Sequence, residues 1–467
     1  MQSIDLEKIP ANTGCEDLQE LDKRYLWHPF TQMREYCRED NLIIERGEGS
    51  YLFDTQGRKY LDGISSLWVT VHGHNRKEIN EAIRSQAEQV SHSTLLGLSN
   101  VPATRLAKEL VRITPEGLSR VFYSDSGATS VEIALKMAFQ YWQQQPDTRK
   151  RGKQRFLTFS GAYHGDTIGS VSLGGMDLFH SLYRPLLFQS LKAPAPYCYR
   201  CPMGREAGEC GFACLEEFDR LISAHKDELA AVVIEPLVQG AAGIITAPPG
   251  YLRAVRERCT ECDVLLIADE VAVGFGRTGS LFACEQEGVS PDLMCLAKGI
   301  TGGYLPLAAT LATEKIYEAF LGEYSEYKTF FHGHSYTGNP LACAAALANL
   351  EIFERDCVIE GLQGKIERLR QGLEHFHALP HVGDVRQRGF MIGIELVKDK
   401  ATKEPFAPAL RMGHRVILEA RRRGVILRPL GDVLVLMPIL GMSDSELDQL
   451  LQVTYESIGA VMSEMTV

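Results

Sequence analysis

No stretch of this 467-residue sequence approaches the roughly 18 apolar residues that a membrane-spanning helix requires. The opening segment, MQSIDLEKIPANTGCEDLQE, is polar and acidic and has no apolar run that would serve as a secretory signal. Both absences make the cytoplasm the expected location. Basic charge is also scarce: 49 Lys and Arg stand against 60 Asp and Glu, a net charge of −11. That balance argues against broad binding to nucleic acid or to an anionic membrane face. There is no GK[ST] phosphate loop, no HExxH metal motif, no internal repeat and no low-complexity tract. What remains is an ordinary composition for a soluble globular protein that buries a sizeable core, with 45% hydrophobic and 23% charged residues.

Cysteine is not scarce. Four of the 12 fall in one stretch, as Cys198, Cys201, Cys210 and Cys214, spaced C-x2-C, eight residues, C-x3-C. That spacing fits a tetrahedral structural zinc site or a loop of free thiols. A third reading makes the whole protein a zinc-binding interaction module.

The middle of the chain alternates short apolar runs with amphipathic segments. RVFYS (Arg120–Ser124) predicts a strand, and the following ATSVEIALKMAFQYW predicts a helix, with Val131, Leu135, Ala138 and Trp142 at helical spacing. LAAVVIEP, DVLLIADEV, DLMCLAKG and LPLAATLAT are continuous apolar runs of the kind found in strands covered on both faces. The pattern predicts an α/β fold with a large, mainly parallel sheet over residues 76–345. Residues 1–75, which read as hairpins, and residues 346–467 are expected to combine into a smaller α+β domain.

Individual motifs are ambiguous. GFGRTG (Gly274–Gly279) matches G-x-G-x-x-G, but no helix signal and no suitably placed acid follow it, so a nicotinamide dehydrogenase is the weak reading. Asp269 and Glu270 end an apolar run, where a carboxylate is either a surface cap or a buried group needing a cationic partner. Lys298 also ends an apolar run. It is a snorkelling surface lysine or a desolvated amine able to form an imine. Ser126, Gly127 and Ala128 stand between a strand and a helix, as an ordinary cap or as a phosphate cradle. Tyr163, in SGAYHGDT, is a loop aromatic or a surface on which a planar ring stacks. Taken together, a phosphate cradle, a stacking aromatic, a strand-end carboxylate and a strand-end lysine meet the needs of pyridoxal 5'-phosphate.

From about Leu26 to about Leu440 the sequence resembles the class III (ω-amino) aminotransferases of fold type I. The segments that carry the resemblance are LWHPFTQM, DGISSLWVTVHGH, SDSGATSVEIALKMAFQYW, YHGDTIGSVSLG, IADEVAVGFGRTG, LAKGITGG, FFHGHSYTGNPLACAAA and LRPLGD. Within the family it is similar to the branch that acts on 8-amino-7-oxononanoate in biotin synthesis. Enzymes acting on ornithine, 4-aminobutyrate or β-alanine are the alternative. The resemblance implies that Lys298 forms the imine with pyridoxal phosphate and shuttles the proton. It implies that Asp269 meets the pyridine nitrogen, that Ser126, Gly127 and Ala128 hold the phosphate, and that Tyr163 and Val271 cover the two faces of the ring. His334 and Ser335 match positions that reach the phosphate from a second subunit, which implies a homodimer with shared sites. Phe30, Leu67, Trp68, Tyr163, Gly333 and Arg428 match substrate-contacting positions. No metal is implied in the chemistry. The family's common branch, which uses S-adenosylmethionine as amino donor, has Trp-Trp at Leu67-Trp68, Tyr at Phe30 and Pro-Thr at His334-Ser335. Loss of an aromatic wall at Leu67 disfavours a sulfonium, and the pattern PFTQM, SSLW, HGHSYTGN resembles the branch that uses L-lysine.

Overall fold

The computed structural model describes residues 17–206 and 210–464. Residues 1–16, most of the polar opening segment, lie outside it, as do residues 207–209 within the cysteine-rich stretch. The central element is a seven-stranded sheet. Its strands, in spatial order, are Leu118–Ser124, Ala308–Thr313, Leu293–Leu296, Leu265–Asp269, Leu229–Ile234, Arg155–Phe159 and Leu191–Ala193. The last five run parallel. Ala308–Thr313 is antiparallel to both its neighbours.

The continuous apolar runs follow from burial on both faces. Successive strand side chains point to opposite faces, and the two hydrophobic cores divide each run accordingly. Leu265, Ile267, Ala231, Val233, Leu293 and Cys295 join one core with Val131, Leu135, Ala138 and Trp142 of the helix Gly127–Gln143. Leu266, Ala268, Val232, Ile234, Met294 and Leu296 join the other. No polar position is tolerated until the strand ends, so the first charged residues of these runs, Asp269, Glu235 and Lys298, emerge at one edge of the sheet. Open α/β sheets bind their ligands at the carboxyl ends of their strands.

Two further sheets come from the ends of the chain. Ile44–Glu48, Tyr51–Asp54 and Lys59–Asp62 form an antiparallel set, to which Val425–Ile426 adds in parallel. Val382–Arg388, Met391–Leu396, Val433–Leu436 and Arg428–Leu430 form an antiparallel sheet. The C-terminal helix Asp444–Ser463 starts with a capping box between Ser443 and Glu446. Among the described residues no helix is long and apolar enough to cross a membrane.

Candidate active site

A cavity of about 710 Å3 opens at the carboxyl edge of the large sheet, within the usual size of a small-molecule site. Of the residues singled out in the sequence, Trp68, Ser126, Gly127, Ala128, Tyr163, Asp269, Val271 and Lys298 line it.

The strand Leu118–Ser124 delivers the chain to the helix Gly127–Gln143. Ser126 caps that helix: its hydroxyl accepts from Thr129 N, and its own N–H donates to Thr129 Oγ1 at 3.0 Å. The side chain thus serves the cap, while the first-turn N–H groups of Gly127 and Ala128 have no intrahelical acceptor. The backbone is packed too tightly there for larger residues. A Cβ on Gly127 would sit 2.5 Å from Val271 Cγ1, and one on Gly165 (φ +116°) 2.4 Å from Ala128 Cβ.

Asp269 ends its strand almost fully buried. Its Oδ2 is 2.7 Å from His164 Nδ1, and its Oδ1 accepts from Val271 N at 3.1 Å. His164, also buried, has its other nitrogen 3.4 Å from Thr158 Oγ1.

Lys298 follows the strand Leu293–Leu296 with φ +47°. Its Nζ lies over the Trp68 ring, 5.4 Å from the centroid. Burial and the nearby Arg277 guanidinium pull the ammonium below the usual lysine range, against the opposing pull of Asp269 and Glu235. More neutral amine is therefore present at neutral pH.

Trp68 stands on a strained turn, with Ser65, Ser66 and Trp68 all at positive φ. Neighbours over-determine it. Asp62 accepts from Ser66 N at 2.7 Å and from its hydroxyl at 3.1 Å, and Ser65 Oγ donates to Met437 O at 2.7 Å. GFGRTG forms consecutive turns with no helix opening on them. Its Arg277 is buried and donates to Thr70 O and Pro438 O at 2.8 and 2.9 Å, which ties the Trp68 segment to the C-terminal part of the chain.

Sequence reasoning missed His164, Glu235 and Arg277. Glu235 carried the same signal as Asp269, an acid at the end of an apolar run. Its two oxygens accept from Tyr163 N at 3.1 Å and Gly240 N at 2.9 Å. Burial raises its pKa to about 7, with His164 opposing and Asp269 reinforcing. A carboxyl raised in this way adds stability that is complete below its ordinary value of 4.5 and lost as pH rises through about 7. Denaturant unfolding at pH 5 and pH 8 should therefore show a larger loss of stability for the wild type than for Glu235→Gln.

The remaining sequence candidates lie outside the cavity lining. Phe30 is exposed, its ring 5.5 Å from that of Phe179. Leu67 is 46% exposed. Gly333 and Ser335 are exposed, and His334 Nδ1 is 2.7 Å from Oδ2 of Asp125, a cavity residue. Arg428 is half-buried beside Tyr163 and forms no ion pair among the described residues. Burial pulls its pKa down. Tyr163 donates its hydroxyl to Asp166 at 2.6 Å.

The family model "Aminotransferase class-III" matches residues 35–458 of this chain. The chain belongs to the class III aminotransferases. The adenosylmethionine-8-amino-7-oxononanoate aminotransferase of Nitratidesulfovibrio vulgaris is 59% identical to it over 95% of this chain and 82% of the relative. The enzyme of the same name from Geobacter sulfurreducens is 55% identical over 96% of this chain and 98% of its own length. The crystal structure of adenosylmethionine-8-amino-7-oxononanoate aminotransferase from Methanocaldococcus jannaschii superposes with a TM-score of 0.90. It is 50% identical and is matched over 95% of this chain and 98% of its own. The ω transaminase of Pseudomonas jessenii, solved in complex with PMP, has a TM-score of 0.91 at 30% identity and is matched over 96% of this chain and 99% of its own.

This aminotransferase has the α/β architecture of fold type I, and enzymes of its class depend on pyridoxal 5'-phosphate. The cavity suits that group on its own chemistry. It offers backbone N–H groups where a Cβ would clash, a buried carboxylate, and a lysine depressed by burial.

Proposed function

We propose that this aminotransferase converts 8-amino-7-oxononanoate to 7,8-diaminononanoate, with L-lysine as amino donor. The observation that carries the reaction type is one cavity lined by Lys298, Asp269 and the first turn of the helix Gly127–Gln143. The names of the relatives support the acceptor.

Pyridoxal phosphate, when bound, supplies an aldehyde that condenses with amines and a ring that withdraws electrons. The N–H groups of Gly127 and Ala128, behind the Ser126 cap, would hold its phosphate. Asp269 would keep the ring nitrogen protonated, with His164 fixing the carboxylate's orientation. Tyr163 and Val271 would cover the ring's two faces. Lys298 Nζ would hold the cofactor and would take the proton from the donor's amine-bearing carbon. Trp68 excludes water above that amine. The Arg428 guanidinium, without an ion pair among the described residues, would grip a substrate carboxylate with two hydrogen bonds.

A homodimer completes this reading, with His334 and Ser335 reaching the partner's cavity. Trp27 and Leu96 are each 90% exposed and Tyr324 is 91% exposed. Large exposed side chains support a second chain only where they share one surface.

Lysine is favoured because Leu67 supplies no aromatic ring where the branch that uses S-adenosylmethionine has Trp, and Phe30 lacks the hydroxyl of that branch's Tyr. S-adenosylmethionine is the second reading, favoured by the names of the relatives. Mixing the yellow enzyme with each donor separately tests the choice. Bleaching of the cofactor band by lysine but not by S-adenosylmethionine is expected, and the opposite result would sink the lysine reading. Failure to form product from 8-amino-7-oxononanoate with either donor would overturn the acceptor.

A further inference from the structure

The excursion from Pro196 to Glu217 leaves the large sheet after the strand Leu191–Ala193 and returns in the helix Ala213–His225. Cys198, Cys201, Cys210 and Cys214 all line one small cavity of about 20 Å3 within it. That is room for a single water-sized sphere. None of the four is in a disulfide. Each pair is carried on a hydrogen-bonded turn: Cys201 O accepts from Gly204 N at 3.0 Å, and Cys210 O from Ala213 N at 3.0 Å. Cys214 lies in the first turn of a 13-residue helix, an end that favours negative charge.

Among the described residues no three ligand-type side chains already form a coordination shell, so metal binding here requires the four side chains to rotate toward the cavity they line.

We propose that these four cysteines bind one Zn2+ as a structural tetrathiolate site. Four S–H bonds are lost to solvent as protons and four Zn–S bonds form, with no change of oxidation state. Four thiolates at C-x2-C and C-x3-C spacing suit a tetrahedral, closed site, which leaves no position for substrate.

The position of the loop gives the ion its role. Arg200, between the first two cysteines, donates to Glu395 Oε1 at 2.6 Å and to Lys403 O at 2.8 Å. Tyr197 donates its hydroxyl to Glu395. Buried Arg386 donates to Glu395 Oε2 at 2.6 Å and to Gly243 O at 2.8 Å. Gly243 lies two residues from Ala241, which lines the catalytic cavity. A metal that fixes the loop thus fixes the contact between the large sheet and the sheet containing Met391–Leu396. It acts at a distance from the chemistry.

Elemental analysis of the full-length holoenzyme, grown with added zinc and dialysed without chelator, tests this. One zinc per chain is expected, released by a mercurial thiol reagent. The Cys198→Ser, Cys210→Ser double variant should lose the zinc and unfold at a lower temperature while keeping its cofactor absorbance. Zinc far below one per wild-type chain, iron in its place, or zinc content unchanged by the double substitution would each overturn the proposal. If the variant does not fold, Co2+ added to chelator-treated wild type decides: intense visible bands of a tetrahedral tetrathiolate support the site, and a weak octahedral spectrum overturns it.

Discussion

Lys298→Ala is expected to lower kcat/KM for transamination by about 10,000-fold, the upper end of what a positioned acid–base group contributes. That equals about 5.4 kcal/mol of transition-state stabilisation. The magnitude follows from the two tasks that the proposed function places on one atom, holding the cofactor and moving the proton. No neighbour can replace it. Burial depresses Lys298, while Arg277, the cation that reinforces that shift, is itself held by the carbonyls of Thr70 and Pro438. The measurement is steady-state rate with both substrates, alongside the absorbance of the purified protein, which should lose the band of the lysine-bound cofactor. A small primary amine added to the assay should restore part of the rate, because it supplies the missing nitrogen without the side chain. Activity within tenfold of wild type would remove Lys298 from the mechanism.

The second large effect is expected at Asp269. Asp269→Asn keeps the size of the side chain but removes its charge, and the rate should fall about 100- to 1,000-fold, as when one preorganised electrostatic partner is removed from a water-excluded site. The loss should be in kcat rather than in folding, since Asn can still face His164 and accept from Val271 N. A cofactor analogue methylated at the ring nitrogen separates this role from a merely structural one. It carries the positive charge permanently, so it should narrow the gap between variant and wild type. A variant equally slow with both cofactors would show that Asp269 supports the fold alone.

These two residues were legible in the sequence for the same physical reason. In a strand covered on both faces every polar position is excluded, so the first charged side chain after the run marks the edge where ligands bind. Asp269 and Lys298 stand out against Leu265–Ala268 and Leu293–Ala297. Glu235 obeys the same rule after Leu229–Ile234. The direction of Ala308–Thr313 was not legible. A strand buried on both faces has the same apolar pattern whether it runs parallel or antiparallel. The turn from Ser65 to Trp68 left no periodic trace either. Its left-handed backbone is imposed by Asp62 and Met437, which lie outside the segment. GFGRTG, already a weak dinucleotide motif in the sequence, serves tight turns instead, with Gly276 and Gly279 at φ +88° and +99°, so that Arg277 can be buried.

The strained turn under Trp68 also sets the order of assembly. Ser65 Oγ bonds to Met437 O across 372 residues, and the strand Lys59–Asp62 gains its neighbour Val425–Ile426 from the far end of the chain. The large sheet, by contrast, is complete once residue 313 has been made. During synthesis Lys298 and Asp269 can therefore take their places well before the wall that carries Trp68 is fixed. Contacts so distant in sequence form slowly, because loop closure comes before any reward. The nascent enzyme should pass through a stage with a formed sheet and an unfinished mouth. A cofactor that binds the sheet at that stage would stabilise the half-built chain while its last elements are being added.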